Sequence, residues 1–276
     1  MENIDVNVAN DRKSWDYNVI LKELETREPD GGEGEILKKR VATVDEKSGQ
    51  ILGTVSRRYK LVNNNEIYRI MSEMSDSVGL KLDKIFVVKY KRATIFRYNL
   101  SDDRQVVIEN SQTENDRINF GFEVFNSFDS ALGGSRIQAF ANRLVCTNGL
   151  TIPQSVGKFS FRELGDFTST SLKDRLLDRI EPIMETANIW NKWTQITPSS
   201  NRITEFLVEN FPKKTGRMLV DEYNGLQDKS VYGLMGLLTY YNSHQVTSRI
   251  PEDLRMKQYT IDRVINKLYN INWDKE

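Results

Sequence analysis

A change of hydrophobic period in the middle of the chain constrains its fold more than any other feature. Before residue 169, segments rich in β-branched and aromatic residues alternate with polar breaks, which is typical of short strands. After Ser169-Thr170-Ser171, apolar residues recur at helical spacings. Strands that precede helices, instead of alternating with them, favour an α+β fold over a doubly wound sheet. We therefore predict a curved, mostly antiparallel sheet with one early helix, followed by a helical C-terminal region.

The same patterns give approximate bounds for each element. Residues 15–24 are predicted to form an arm or a short helix, and Asn63 to begin the early helix. Alternation places Phe120 and Phe122 on one face of their strand, expected to be the core, and Phe125 on the other. The predicted strands cover 37–44, 51–59, 80–89, 93–100, 105–109, 117–125 and 136–146. The later helices cover 172–193, 202–210, 216–224, 230–242 and 259–269, with Pro182 kinking or splitting the first.

The chain divides by composition into an acidic N-terminal arm (1–35), a β-rich core (36–168) and a helical C-terminal region (169–276) packed on that core. Lys plus Arg and Asp plus Glu both number 39, so the total charge does not indicate a polyanionic partner. The charge is unevenly distributed, however. Residues 1–37 carry a net charge of −6 and residues 38–97 a net charge of +8.

Basic side chains concentrate on adjacent predicted strands and at their ends, with tyrosines between them. Cations can neutralise phosphates while exposed rings stack on unpaired bases, as in sequence-tolerant single-strand binders. A solvated sheet face with half-buried tyrosines explains the same composition, because charged edges also protect sheets from aggregation. The candidate nucleic-acid-binding residues are Lys38, Lys39, Arg40, Arg57, Arg58, Tyr59, Lys60, Lys89, Tyr90, Lys91, Arg92 and Arg97.

Cys146 and His244 are the only cysteine and the only histidine of the chain. They could act as a nucleophile and its base if the fold brought them together. Packing explains them as well, because Cys146 follows an apolar strand and His244 lies near the C-terminus of a predicted helix. One Cys and one His cannot form a usual zinc site, and no glycine-rich loop has a phosphate-binding fingerprint. No catalytic residue, metal or cofactor is therefore predicted.

The cellular setting is predicted from features that the sequence lacks. A single cysteine excludes an intrachain disulfide framework, which suits a reducing cytoplasm. No apolar run reaches membrane-spanning length, and the acidic, polar start is unlike a signal peptide. We therefore predict a cytoplasmic protein without a membrane partner.

Several blocks of the chain resemble one known family over about residues 50–245. The first block is the strand and turn from Leu52 to Asn63, which contains Gly53 and Ser56-Arg57-Arg58-Tyr59. The second is Asn126-Ser127-Phe128-Asp129 with Gly133-Gly134-Ser135, and the third is Arg143-Leu144-Val145-Cys146-Thr147-Asn148-Gly149-Leu150. The fourth is a helix ending in His244. This combination resembles the phage/plasmid-like family known as domain of unknown function 932. Its motif positions here are Asn126, Ser127, Asp129, Arg143, Cys146, Asn148, Gly149 and His244.

The chain departs from that family at two places. Many members have Asn-Ser-His-Asp-Gly where this chain has Phe128 and Ser130. Members also often carry an Arg-His pair after the Asn-Gly turn, whereas residues 158–163 contain Arg162 without a histidine. A histidine-dependent reaction is therefore not expected here.

The resemblance implies a phage, plasmid or prophage setting, close to DNA replication, recombination and repair, and it carries over no catalytic residue. Together with the basic region, it predicts non-catalytic binding of single-stranded nucleic acid, most simply DNA during replication or annealing. A homo-oligomeric ring or filament would align several such surfaces, and the acidic arm would shield them when no ligand is bound. The alternatives are an interaction factor acting on a host or virion partner, and a metal-dependent, nuclease-like enzyme.

Overall fold

The computed structural model describes residues 7–9, 11–25, 36–109, 116–129, 134–143, 149–150, 152, 157–160, 168–242 and 261–273. Antiparallel sheets with an early helix precede a helical region, so the predicted α+β fold is confirmed. The strands are β1 (Asn7–Val8), β2 (Val19–Glu25), β3 (Ile36–Asp45), β4 (Ile51–Ser56), β5 (Leu80–Val87), β6 (Ala93–Leu100), β7 (Val106–Ile108), β8 (Asp116–Ser127), β9 (Arg136–Arg143), β10 (Gly149–Leu150) and β11 (Lys158–Ser160). The helices are α1 (Arg12–Trp15), α2 (Asn64–Val78), α3 (Ser169–Trp193), α4 (Ser200–Asn210), α5 (Lys213–Gly225), α6 (Val231–Tyr240) and α7 (261–268).

The described strands form two antiparallel sheets. The large sheet has the order β1-β5-β6-β8-β9-β10, with β11 paired to β9 and β7 paired to β8. The small sheet has the order β2-β3-β4. Strand β8 is the longest, and it pairs with β6 on one side and with β9 on the other. It therefore determines the register of the large sheet.

One face of the large sheet packs against the helices. Phe96, Phe120 and Phe122 alternate along their strands and are at most 1% exposed, which confirms the predicted core assignment of the two β8 phenylalanines. Phe120 stacks on Trp190 of α3 at 5.8 Å between ring centroids. The Trp190 indole N–H donates to the Tyr269 hydroxyl at 2.8 Å, which joins the C-terminal segment to the same core. Sheet and helices thus share one hydrophobic cluster.

Helix α2 confirms the predicted early helix. Its stripe of Ile67, Ile70, Met71 and Met74 is buried against the sheet. Asn63 precedes the first helical residue, and its Oδ1 accepts a hydrogen bond from the Val19 backbone N–H at 2.8 Å. The start of α2 is therefore tied to the small sheet.

One local prediction was wrong, and one of two alternatives at Pro182 is excluded. The segment predicted as an arm or short helix forms strand β2, because backbone pairing with β3 satisfies its hydrogen bonds. Trp15, just before it, is only 5% exposed and belongs to the core. Helix α3 also continues through Pro182, with Ile180 and Ile183 buried on either side of it, so the predicted split at this proline does not occur. Tertiary packing outweighs the lost backbone hydrogen bond there.

The division into three regions stays a prediction, although residues from all three parts contribute to the shared hydrophobic cluster. Among the helices that the structure describes, none combines the length and the apolar character needed to cross a bilayer.

Two neighbouring leucines of α3 test this shared core. Leu176 is fully buried in the cluster, whereas Leu177 is 41% exposed. We expect Leu176→Ala to lower the free energy of unfolding by about 2–5 kcal/mol. Leu177→Ala removes the same atoms from the surface and is expected to change it by less than about 0.5 kcal/mol. Urea titrations followed by circular dichroism measure both, and equal losses would contradict the packing of α3 on the sheet.

Candidate nucleic-acid interface

The motif Asn126-Ser127-Phe128-Asp129 lies at the end of β8 and is buried. The Asn126 amide donates to the Val62 carbonyl oxygen at 3.0 Å and to Asn64 Oδ1 at 2.9 Å. Asn126 Oδ1 accepts from the Ser135 hydroxyl at 3.0 Å. We call the polar residues at the junction of the two sheets the junction cluster, consisting of Asn64, Asn126, Ser127, Asp129 and Ser135. Its hydrogen bonds fix the end of β8 against the start of α2.

The small sheet docks directly on this motif. A Cβ atom on Gly53 of β4 would lie 2.5 Å from Asp129 Cβ, so only glycine allows this approach. The Thr43 hydroxyl donates to the Phe128 carbonyl oxygen at 2.5 Å. Phe128 itself is fully buried and packs with Tyr17 and Leu52. Phenylalanine, where many family members have histidine, therefore belongs here to an apolar contact between the sheets.

The turn between β5 and β6 is fastened to both sheets by ion pairs. Lys91 Nζ lies 2.6 Å from Asp45 Oδ2, and Arg92 Nε lies 2.7 Å from Asp129 Oδ2. Tyr90 and Lys91 both have φ near 59°, an unusual conformation for residues with a side chain. Desolvation by burial raises the pKa of Asp45, but hydrogen bonds from Lys91, Ser48 and Lys47 outweigh it and hold that pKa below its ordinary value. Asp45 is therefore ionised and forms an ion pair with Lys91.

The predicted basic residues lie in three places. Lys38, Lys39 and Arg40 are exposed on the outer half of β3, close to Arg57, Arg58 and Lys60 at the end of β4. Lys89, Tyr90, Lys91 and Arg92 form the β5–β6 turn, in which Tyr90 is 62% exposed. Arg97 lies on the large sheet.

Several of these residues already form ion pairs or hydrogen bonds with other residues of the same chain. Arg57 pairs with Glu23 at 2.8 Å, and Arg97 Nε lies 2.9 Å from Glu123 Oε1, in addition to the pairs of Lys91 and Arg92. The Tyr59 hydroxyl donates to the Ser127 carbonyl oxygen, so this half-buried side chain supports the junction cluster. Four of the predicted cations are therefore already paired with carboxylates of the chain.

Other predicted positions lie outside the described residues, namely Cys146, Asn148, His244 and the side chain of Lys89. Arg143 and Gly149 are placed only by their backbones, in β9 and β10.

The face of the large sheet opposite the helices carries a set of residues of which only Arg97 was among the predicted binding residues. Directly paired residues in an antiparallel sheet share a face, so the register defines this set. We call it the open face, because most of its side chains are exposed or half-exposed. It consists of Lys81, Lys84, Phe86, Ile95, Arg97, Asn99, Arg117, Asn119, Gly121, Glu123, Phe125, Arg136, Gln138, Phe140 and Asn142.

Rings and cations interleave on the open face. The Arg97 guanidinium lies between two rings, 5.2 Å from the centroid of Phe86 and 4.9 Å from that of Phe140. Arg136 lies 4.1 Å from the Phe125 ring. These distances are within the range of cation–π attraction.

Three further cations of the open face extend into solvent. Lys81, Lys84 and Arg117 are exposed, and none has a carboxylate partner in the part of the chain that the structure describes. Among the residues that define the open face, Glu123 is the acidic one, and it pairs with Arg97. The bulged residue Asp83 of β5 is also exposed. The open face is therefore both cationic and aromatic.

The family model described as domain of unknown function (DUF932) matches residues 51–232. The chain belongs to the DUF932 family. The DUF932 match includes β4, the junction cluster and the paired rows of the open face, and it ends within α6, before His244. Neither the curated proteins nor the solved structures contain a match to the chain.

The described part of this DUF932 protein contains no group of three or more His, Cys, Asp or Glu side chains arranged to hold a metal ion. The nuclease-like alternative stays a hypothesis.

Gly53 tests the docking of the two sheets in this DUF932 protein. Because the new Cβ would overlap Asp129, we expect Gly53→Ala to lower the free energy of unfolding by about 1–3 kcal/mol. Gly225→Ala at the end of α5 is the control, because a Cβ there meets no atom within 4 Å and alanine favours helix. Thermal unfolding by circular dichroism compares the two, and an unperturbed Gly53→Ala would contradict the close approach.

The Asp45–Lys91 pair tests the electrostatics of the turn. A carboxyl whose pKa is lowered by folding adds stability above its unfolded-state pKa, and this stability is lost as the pH falls through the lower folded-state pKa. We expect Asp45→Asn to be less stable than the wild type at pH 7 by about 1–3 kcal/mol. The difference should shrink as the pH falls below about 4.

Urea titrations at several pH values measure this difference. Glu185→Gln, which neutralises an exposed carboxylate of α3, serves as the control. A difference between Asp45→Asn and the wild type that stays constant down to the lowest pH would show that the Asp45 charge does not stabilise the turn.

Proposed function

We propose that this protein binds single-stranded nucleic acid, most simply DNA, on the open face and without catalysis. The observation that carries the proposal is the half-exposed sheet face that carries Lys81, Lys84 and Arg117 together with the rings of Phe86 and Phe140. Aromatic rings on a sheet surface are an established platform for unpaired bases. Unpaired cations on the same face supply the phosphate contacts.

The geometry suits a chain of nucleotides better than a compact ligand. Arg117 and Phe125 lie eight residues apart on β8, which corresponds to roughly 27 Å along the strand. Cations on β5, β6, β8 and β9 are spread over this length, and the rings of Phe86, Phe125 and Phe140 lie along the half nearer Phe125. Because stacking and phosphate contacts do not depend on base identity, most of the binding would tolerate different sequences.

The outer half of β3 gives a second cationic surface. Lys38, Lys39 and Arg58 are exposed and have no carboxylate partner among the described residues. This surface is the rival location for the phosphate contacts, whereas a homo-oligomer would align several copies of the open face. We also propose that such an assembly acts in the cytoplasm of a phage- or plasmid-carrying host, because the single cysteine suits a reducing cytoplasm and the resemblance described above implies that host.

One observation favours the alternative of an interaction factor. The small sheet exposes Leu21, Ile36, Leu37 and Ile51, each at least 40% accessible. Exposed apolar groups of this kind are common in protein–protein contacts. A partner protein bound there would leave the open face unchanged.

A salt titration of single-stranded DNA binding tests the proposal. The affinity should fall steeply with salt, because phosphate contacts release counterions. Each neutralised phosphate on a single strand contributes a slope of about −0.7, so Lys84→Ala/Arg117→Ala should flatten the dependence by about 1.4. Fluorescence anisotropy with a labelled oligonucleotide measures the slope.

The matched control is Lys38→Ala/Lys39→Ala, which removes two exposed cations from β3 instead. It should leave the slope nearly unchanged. A flattened slope in this control alone would move the interface to the small sheet. Absence of binding by the wild type at low salt would refute the proposed function.

A further inference from the structure

Two amide oxygens of the open face have no hydrogen-bond partner among the residues that the structure describes. Asn119 is only 8% exposed, and Asn99 is half-buried. The Oδ1 atoms of both are shielded from solvent, and neither makes a hydrogen bond within the part of the chain that the structure describes. Buried polar atoms in folded proteins nearly always have a partner, so each exception needs an explanation.

The two amides flank an aromatic ring. Asn99 of β6 is directly opposite Gly121 of β8, and Asn119 lies two residues from Gly121 along the same strand. A Cβ atom on Gly121 would lie 2.6 Å from Phe140 Cζ, which shows that the Phe140 ring extends across the glycine. Because Phe140 belongs to β9, its ring covers the strand between the two amides. The ring and the amides therefore form one local surface.

We infer that Asn99 and Asn119 form a subsite that hydrogen-bonds the edge of a nucleobase stacked on Phe140. This inference rests on the proposed function and adds a base preference to it. The unpartnered groups are two acceptor oxygens, and the exocyclic amino group of adenine or cytosine offers two N–H donors. Thymine has no amino group and offers only the single N–H donor at N3.

Access to the amide oxygens requires only local motion. The terminal torsion of asparagine is broad, so a rotation about χ2 redirects the amide without moving the strand. The base gains hydrogen bonds that the free protein lacks at this place. The open face thus combines sequence-tolerant phosphate contacts with one position that distinguishes amino-bearing bases.

The test compares labelled oligo-dA, oligo-dC and oligo-dT of about 12 nucleotides. Wild-type protein should bind dA and dC more tightly than dT. Asn119→Leu and Asn99→Leu, made separately, should each weaken the binding of oligo-dA by about tenfold. Each should leave the binding of oligo-dT and the salt dependence nearly unchanged. The thermal stability of each variant should equal or exceed that of the wild type. Gln138→Leu removes an exposed amide from the same face and is expected to change no affinity more than about twofold.

The outcomes separate the subsite from the proposed function. Equal affinities for the three oligonucleotides, or a dA preference that survives both leucine variants, would overturn the subsite while leaving the salt-dependent binding intact. Lower stability of both variants would also overturn it, because the amides would then be hydrogen-bonded within the free protein. If no oligonucleotide binds the wild type at low salt, the proposed function fails first.

Discussion

The alternation of side chains along β8 is the constraint on which the rest of the structure depends. Successive residues of a strand point to opposite faces, so Phe120 and Phe122 enter the core while Asn119 and Glu123 face away from it. A shift of one residue would exchange the two sets. Because β8 pairs with both β6 and β9, its register also aligns Arg97 with Glu123, and Phe140 with Gly121. The same alternation thus produces the core and the open face.

The junction cluster explains why the family motif need not be a reactive centre. Asn126 and Asn64 join β8 to α2, and Asp129 holds Arg92 while it packs against Gly53. Each contact connects segments that are far apart in sequence. Phe128 is buried between the sheets, where a charged or reactive side chain would lose its hydration. The motif in this chain therefore fastens the small sheet to the large one, and the ligand surface proposed above lies on a different part of β8.

Sequence patterns predicted most of the longer strands and helices, and their order, because these depend on local periodicity. The strand 93–100 and the buried stripe of α2 were predicted correctly for this reason. The open face depends on register and on the bulge after Leu82, which composition does not contain. Likewise, the partner of Lys91 is Asp45, 46 residues away, and only the fold brings them together. Counting cations could therefore find the basic region but not which cations are available to a ligand.

The ion pair of Arg97 with Glu123 limits how much this cation could add to the affinity of the open face for a polynucleotide. The pair is partly solvated, with side chains 29% and 26% exposed, so the attraction between them is modest. A phosphate that binds Arg97 would have to displace Glu123, which reduces the net binding free energy that Arg97 contributes. The guanidinium nevertheless keeps its cation–π contacts with the rings of Phe86 and Phe140. Arg97 would then act mainly through these ring contacts, and the phosphate attraction would come from Lys81, Lys84 and Arg117, which have no carboxylate to release within the described chain.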